Sequence, residues 1–174
     1  MLLNGKRIAF LVGPEFEDLE FWAVYMRLLE EGAQVTVVGL KAGEVYRSKS
    51  GGLTATAEVA AADVGPDAFD AVVIPGGWAP DKLRRYEAVT SLVKGIYDQG
   101  KIVGMICHAG LVGISARIVA GHRATGSLGI KDDLINAGAT WVNEPAFRDG
   151  NIVWGRVVPD IPAFNRELVK ALAS

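Results

Sequence analysis

The sequence predicts a doubly wound α/β domain, in which a mostly parallel sheet is covered on both faces by helices and carries a small antiparallel supplement. Three observations predict it. Short apolar runs recur along the chain. Some of them, such as Ala71-Val72-Val73-Ile74, are continuous rather than alternating, as in strands buried on both faces of a parallel sheet. Between the runs lie longer segments with apolar residues at helical spacing. No internal repeat, low-complexity tract or linker interrupts the pattern, so residues 1–174 read as one domain.

The elements follow in order. Ile8-Ala9-Phe10-Leu11-Val12 is the first strand. Leu19, Trp22, Met26 and Leu29 make an apolar stripe for the first helix, with Gly32 where a left-handed C-terminal cap belongs. Val35-Thr36-Val37-Val38 is the second strand, and residues 43–57, rich in glycine and threonine, suit a hairpin. The strand at 71–74 ends in Pro75-Gly76-Gly77. Leu83, Val89, Leu92, Val93 and Ile96 predict a helix closed near Gly100, and Ile102 to Ile106 is a buried strand running straight into Cys107-His108. Ala109 to Ala116 is helical, its Gly110 and Gly113 permitting a close approach to the sheet. Asp132 to Ala137 forms a short helix stopped by Gly138. Thr140-Trp141-Val142 and Ile152-Val153-Trp154 read as strands, the second entered through the turn dipeptide Asp149-Gly150. The closing helix has Asp160 as its candidate cap, Pro162 in its first turn, and Phe164, Leu168 and Leu172 facing inward.

Charge and composition narrow the function. Eighteen basic and twenty acidic side chains leave a net charge of −2, so no basic field gathers nucleic acid or anionic lipid. No stretch approaches the roughly 20 apolar residues of a transmembrane helix, and the N-terminus meets Lys6 and Arg7 before any apolar run of signal-peptide length. A cytoplasmic protein is the expectation. One cysteine and two histidines predict neither a disulfide framework nor a metal site. The absence of Gly-x-Gly-x-x-Gly and Walker patterns removes the signatures of dinucleotides and nucleoside triphosphates, and no cofactor is expected.

In open parallel sheets, ligands bind beyond the carboxyl ends of the strands. Three such loops carry unusual chemistry: 14–20, 75–81 and Cys107-His108. Cys107 stands at an abrupt strand-to-helix junction, a nucleophile-elbow position where helix-start amides favour a thiolate. A sharp turn there can bring His108 to the sulfur. Glu15, Glu17, Asp18 and Glu20 crowd the first loop, where carboxylates suit a helix start, and one of them can point toward the thiol. Periodicity does not choose between Glu15 and Glu17. Gly76 and Gly77 present unobstructed amides for an oxyanion, and Trp78 borders the crevice. His122, between Gly121 and Arg123, reads as a surface residue.

Taken together, Glu15-Phe16-Glu17-Asp18, Pro75-Gly76-Gly77-Trp78-Ala79-Pro80-Asp81, Ile106-Cys107-His108 and Gly129-Ile130-Lys131-Asp132-Asp133-Leu134-Ile135-Asn136-Ala137-Gly138 resemble the DJ-1/PfpI superfamily, in particular its PfpI-like intracellular peptidase branch. The resemblance covers nearly the whole chain. It implies a flavodoxin-like sandwich with Cys107 as nucleophile, Glu17 as the carboxyl partner of the sulfur and His108 as the neighbouring base. It further implies that Asp81 supplies the acid of a Cys-His-acid triad across a subunit interface, so that the chain forms a homodimer or larger assembly. The amides around Gly77 and His108 would form the oxyanion hole. Ala109 and Ser127 border the same pocket, and there the sequence departs from the family: Cys107-His108-Ala109-Gly110 replaces Cys-His-Gly-Pro, and Ser127 replaces an aromatic residue.

The family covers several activities, and fold does not choose among them. The first expectation is a glutathione-independent glyoxalase or deglycase acting on small reactive carbonyls, with Glu17 and His108 moving the proton. The second is a cysteine peptidase that forms an acyl-thioester on peptides. The third is a non-catalytic stress sensor or chaperone, with Cys107 oxidised to sulfinate.

Overall fold

A computed structural model describes residues Met1–Ser174. Seven strands form the main sheet: β1 (Arg7–Leu11), β2 (Gln34–Gly39), β5 (Val59–Ala60), β6 (Ala71–Ile74), β7 (Ile102–Ile106), β10 (Ala146–Asp149) and β11 (Ile152–Gly155). Their order across the sheet is β10-β11-β7-β6-β1-β2-β5, and only the β10–β11 pair is antiparallel. β3 (Val45–Arg47) and β4 (Thr54–Thr56) make a separate hairpin, and β8 (Arg123–Ala124) pairs in parallel with β9 (Thr140–Trp141). The helices are α1 (Asp18–Glu30), α2 (Ala79–Leu83), α3 (Glu87–Asp98), α4 (Gly110–Ser115), α5 (Lys131–Asn136) and α6 (Ile161–Ala173). This is the flavodoxin-like α/β fold that the sequence predicts, with its small antiparallel supplement.

Neighbouring residues of β7 show how both faces are covered, because successive side chains of a strand point to opposite sides. A Cβ at Gly104 would lie 3.0 Å from Leu168 of α6, whereas the Met105 sulfur lies 2.8 Å from where a Cβ at Gly113 of α4 would stand. Glycine thus lets a helix close down on each face. β6 and β7 are buried at every residue, as their continuous apolar runs require. The central strands all direct their carboxyl ends to one rim, where the first, third and fourth loops meet.

Four details differ from expectation. The inward face of α1 carries Glu20, Phe21, Val24 and Leu28, while Leu19, Met26 and Leu29 are exposed. Apolar residues occupy both sides of this helix, and the aromatic packing of Phe21 on Phe10 and Phe16 selects the side that faces the sheet. Leu83 belongs to the short α2, separate from α3. The Asp149-Gly150 turn joins β10 to β11, and Thr140-Trp141 pairs elsewhere, with β8. Asp160 holds the cap position of α6, yet its carboxylate is bound by the Arg156 guanidinium at 2.8 and 3.2 Å rather than by helix amides.

Candidate functional site

β7 delivers Cys107 to the rim, and the backbone turns there with φ of +61°, a left-handed conformation that non-glycine residues rarely adopt. Surrounding bonds hold the turn: the Ser127 amide donates to the Cys107 carbonyl at 3.2 Å, and Gly126 leaves room for that carbonyl. Glu15, on the facing loop, has φ of +59°. Its amide donates to the Arg47 carbonyl, and its carbonyl accepts from the Trp78 amide, both at 2.9 Å. Two of the chain's three left-handed non-glycine residues therefore frame one crevice, where strain is maintained by neighbouring bonds.

The carboxyl group beside the sulfur is that of Glu20. Glu17 instead caps α1, its Oε2 accepting from the Leu19 and Glu20 amides at 2.8 Å each. That is the electrostatically favoured use of a carboxylate at a helix start, and it takes Glu17 away from the thiol. One turn further on, Glu20 points inward and is wholly buried. Its Oε1 accepts from the Gly76 amide at 2.8 Å, and Oε2 has no hydrogen-bond partner. Glu20 Oε1 and Cys107 Cβ both close on Gly76, so the carboxyl group and the thiol share one corner of the crevice. Burial, reinforced by the charge of Glu17, pushes Glu20 up to about 8, so it carries its proton at neutral pH.

Burial and the proximity of Glu20 push the Cys107 thiol up to about 12, against the expectation of a thiolate favoured by the helix start. The His108 amide and the charge of Lys49 pull in the other direction. Two anions this close cannot coexist, so the pair retains a proton, and a protonated Glu20 can donate to the sulfur. His108 Nδ1 stands 3.4 Å from the Cys107 sulfur. Burial, with a smaller contribution from Lys49, lowers the imidazole pKa, which leaves the ring neutral and able to accept a proton. The Trp78 ring meets the His108 ring edge-on with centroids 5.4 Å apart, and Gly129 lies against the far side of the imidazole.

The other predicted site residues divide. The Gly76 amide is committed to Glu20 and is not free for an oxyanion. Gly77, at φ of +77°, makes no backbone hydrogen bond with its own amide, which leaves that N–H available. Ala109 is buried beneath the elbow. Ser127 holds Cys107 through its backbone and accepts from the Gly129 amide with its hydroxyl. Asp81 lies on α2 with its carboxylate paired to Arg85 at 2.6 Å on the surface. His122 is not a surface residue. It is largely buried, with Nδ1 2.9 Å from Asp149 and Nε2 2.7 Å from the Tyr97 hydroxyl, and it ties α3 to β10.

Sequence reading missed the role of Glu20, although a signal existed. Glu20, Val24 and Leu28 share one helical face, and a carboxyl group on an inward stripe is costly enough to ask for a purpose. Lys49 carries no sequence signal for this crevice, because its place over Trp78 depends entirely on where the β3–β4 hairpin folds.

Residues 6–171 match the DJ-1/PfpI family. Among curated proteins, the chain is 42% identical over 166 residues to "Deglycase PYRAB04690" of Pyrococcus abyssi, an alignment covering 95% of this chain and 99% of the relative. It is 36% identical over 168 residues to "Putative cysteine protease YraA" of Bacillus subtilis, covering 97% and 99%. Among solved structures, it superposes with a TM-score of 0.94 and 36% identity on a two-domain protein of Anabaena variabilis containing DJ-1/ThiJ/PfpI-like and ferritin-like domains. That match covers 96% of this chain and 48% of the other.

Proposed function

The chain belongs to the DJ-1/PfpI family, and we propose that it is a cofactor-independent enzyme acting on reactive carbonyls, a glyoxalase or deglycase with Cys107 as nucleophile. The observation that carries this reading is the buried Glu20 carboxyl group set against the chain's single thiol, with the neutral His108 Nδ1 3.4 Å from the sulfur. Such a site holds both a proton donor and a proton acceptor next to a sulfur nucleophile. The name borne by the Pyrococcus abyssi relative supports the same reading.

The chemistry runs as follows for methylglyoxal. The sulfur adds to the aldehyde carbon as the thiol proton passes to His108 and Glu20 gives its proton to the carbonyl oxygen, forming a hemithioacetal. The Gly77 amide, free of backbone partners, stabilises the developing oxyanion. Glu20, now ionised, removes the hydrogen from the former aldehyde carbon and returns it to the adjacent carbon while the hydroxyl proton shifts to the neighbouring oxygen, producing a thioester. Water then releases lactate and restores the thiol. Deglycation of an early glyoxal adduct begins with the same thiol addition, and the amine is the leaving group.

The test is lactate formation from methylglyoxal without glutathione, comparing wild type with Cys107→Ser and Glu20→Gln. Cysteine-dependent lactate that disappears in Glu20→Gln is expected, because glutamine keeps a hydrogen-bond donor but cannot act as the base. Absence of lactate in the wild type would overturn the reading. The peptidase reading requires the Asp81 carboxylate to leave Arg85 for a histidine of another subunit, which gives it less support. Sulfinate accumulation on Cys107 without lactate would favour the stress-sensor reading.

A further inference from the structure

One cation stands at this crevice without a carboxylate partner. Lys49 lies in the turn between β3 and β4, and its ammonium sits 5.0 Å from the centroid of the Trp78 ring, the same ring that packs against His108. It enters no ion pair, although Glu15, Glu17 and Asp18 belong to the adjoining loop. Its position is built rather than incidental. The Lys49 amide donates to the Phe16 carbonyl at 2.8 Å. On either side, the Ser48 and Ser50 hydroxyls both donate to Asp18 Oδ2, at 2.7 and 2.5 Å, and the Ser50 amide donates to Asp18 Oδ1 at 3.1 Å. Asp18 thereby spends its carboxylate on the two flanking serines and leaves the lysine's charge uncompensated. The turn is closed by the Gly51 amide donating to the Ser48 carbonyl at 2.9 Å, with Gly51 at φ of +80°. The reach of the charge agrees with this placement, since Lys49 acts on the ionisation of Cys107, Glu20 and His108 alike.

We propose that Lys49, held over Trp78 by the Asp18-pinned turn, is a specificity-determining residue that binds a carboxylate on the substrate, so that the site prefers 2-oxoaldehydes bearing a carboxylate beyond the carbonyl pair. The substrate class rests on the carbonyl-enzyme reading. The anion site itself does not, because it concerns any reagent that approaches Cys107. A cation at the mouth of a crevice raises the local concentration of anions and offers the carboxylate a charge-assisted hydrogen bond. Asp18 is a positioning residue in this scheme, acting through the turn.

Alkylation of the single cysteine tests the anion site without any turnover. Iodoacetate and iodoacetamide both form a thioether with Cys107 and release iodide, and they differ in one negative charge. A change in thiolate fraction affects both rates equally, so their ratio isolates the charge preference. Lys49→Met is expected to lower the iodoacetate-to-iodoacetamide ratio by about two- to fivefold, the range for a solvent-exposed ion pair, and Lys49→Arg to retain most of it. An unchanged ratio in Lys49→Met would overturn the proposal. A second arm compares kcat/KM for 4,5-dioxopentanoate, which would give 2-hydroxyglutarate, with that for methylglyoxal. Lys49→Met should reduce the first by a similar factor, mainly through KM, and leave the ratio of the two lower than in wild type. A ratio of alkylation rates that falls while neither aldehyde is turned over would uphold the anion site and refute the carbonyl chemistry. Turnover of both aldehydes with an unmoved alkylation ratio would do the reverse.

Discussion

Replacing Glu20 by glutamine should make the protein more stable in alkali, although it alters a wholly buried residue at the centre of the site. The carboxyl group titrates near 4.5 when unperturbed and is held up to about 8 here. Between those values the folded chain keeps a proton that the unfolded chain has lost, so unfolding releases a proton and stability falls as pH rises. The loss begins near pH 4.5 and is complete above about pH 8, and each unit corresponds to about 1.4 kcal/mol, so the full span is at most about 5 kcal/mol. Glutamine is neutral throughout, accepts from the Gly76 amide as Oε1 does now, and can donate toward the sulfur. Wild type and Glu20→Gln should therefore have similar stability at pH 5, with the variant ahead by several kcal/mol at pH 8.5. Urea unfolding followed by tryptophan fluorescence across pH 5–8.5 measures the difference, and this range stops short of the Cys107 titration. A difference independent of pH, or one that increasingly favours wild type as pH rises, would refute the assignment of Glu20 as a buried, protonated carboxyl group.

Other outcomes follow from the same geometry. A Cβ at Gly76 would press on Glu20 Oε1, 3.0 Å from Cys107 Cβ and 3.1 Å from the His108 nitrogen, so Gly76→Ala should cost about 1–3 kcal/mol and abolish lactate formation. Denaturation and turnover measured together check this, and wild-type turnover would show that the Glu20–Cys107 spacing is not critical. His122→Ala removes bonds to Asp149 and to the Tyr97 hydroxyl, at the opposite end of β7 from Cys107, and should cost about 2 kcal/mol, or roughly 4–8 °C in Tm. Its methylglyoxal kcat should stay near that of wild type, and calorimetry with an activity assay separates the two effects. Asp18→Ala frees Ser48 and Ser50, and the iodoacetate preference should fall as it does in Lys49→Met, with the iodoacetamide rate serving as the internal reference.

Much of this molecule was legible because its signals are local. Continuous apolar runs at 71–74 and 102–106 identify strands buried on both faces, and the order of runs and stripes yields the doubly wound fold. The strand that runs into Cys107-His108 places both residues at the ligand-binding rim from residue order alone. Trp78 at the crevice follows from the same rule, since its loop leaves the neighbouring strand at that rim.

The choice among the acidic residues of the first loop was not local. Glu15, Glu17 and Glu20 have the same chemistry, and α1 carries apolar residues on both sides, so periodicity alone pointed to the exposed stripe at Leu19, Met26 and Leu29. Packing of Phe21 against Phe10 and Phe16 fixes the helix rotation, which turns Glu17 toward the helix amides and Glu20 toward the thiol. The place of Lys49 is likewise set by folding in space, because a hairpin must fold back onto Phe16 and Asp18 before the ammonium reaches Trp78. Backbone pattern and the elbow cysteine were thus determined by residue order alone. Which carboxyl group lies beside the sulfur, and which cation stands over Trp78, were decided by tertiary packing, since desolvation and Coulomb interaction depend on burial and distance and not on separation along the chain.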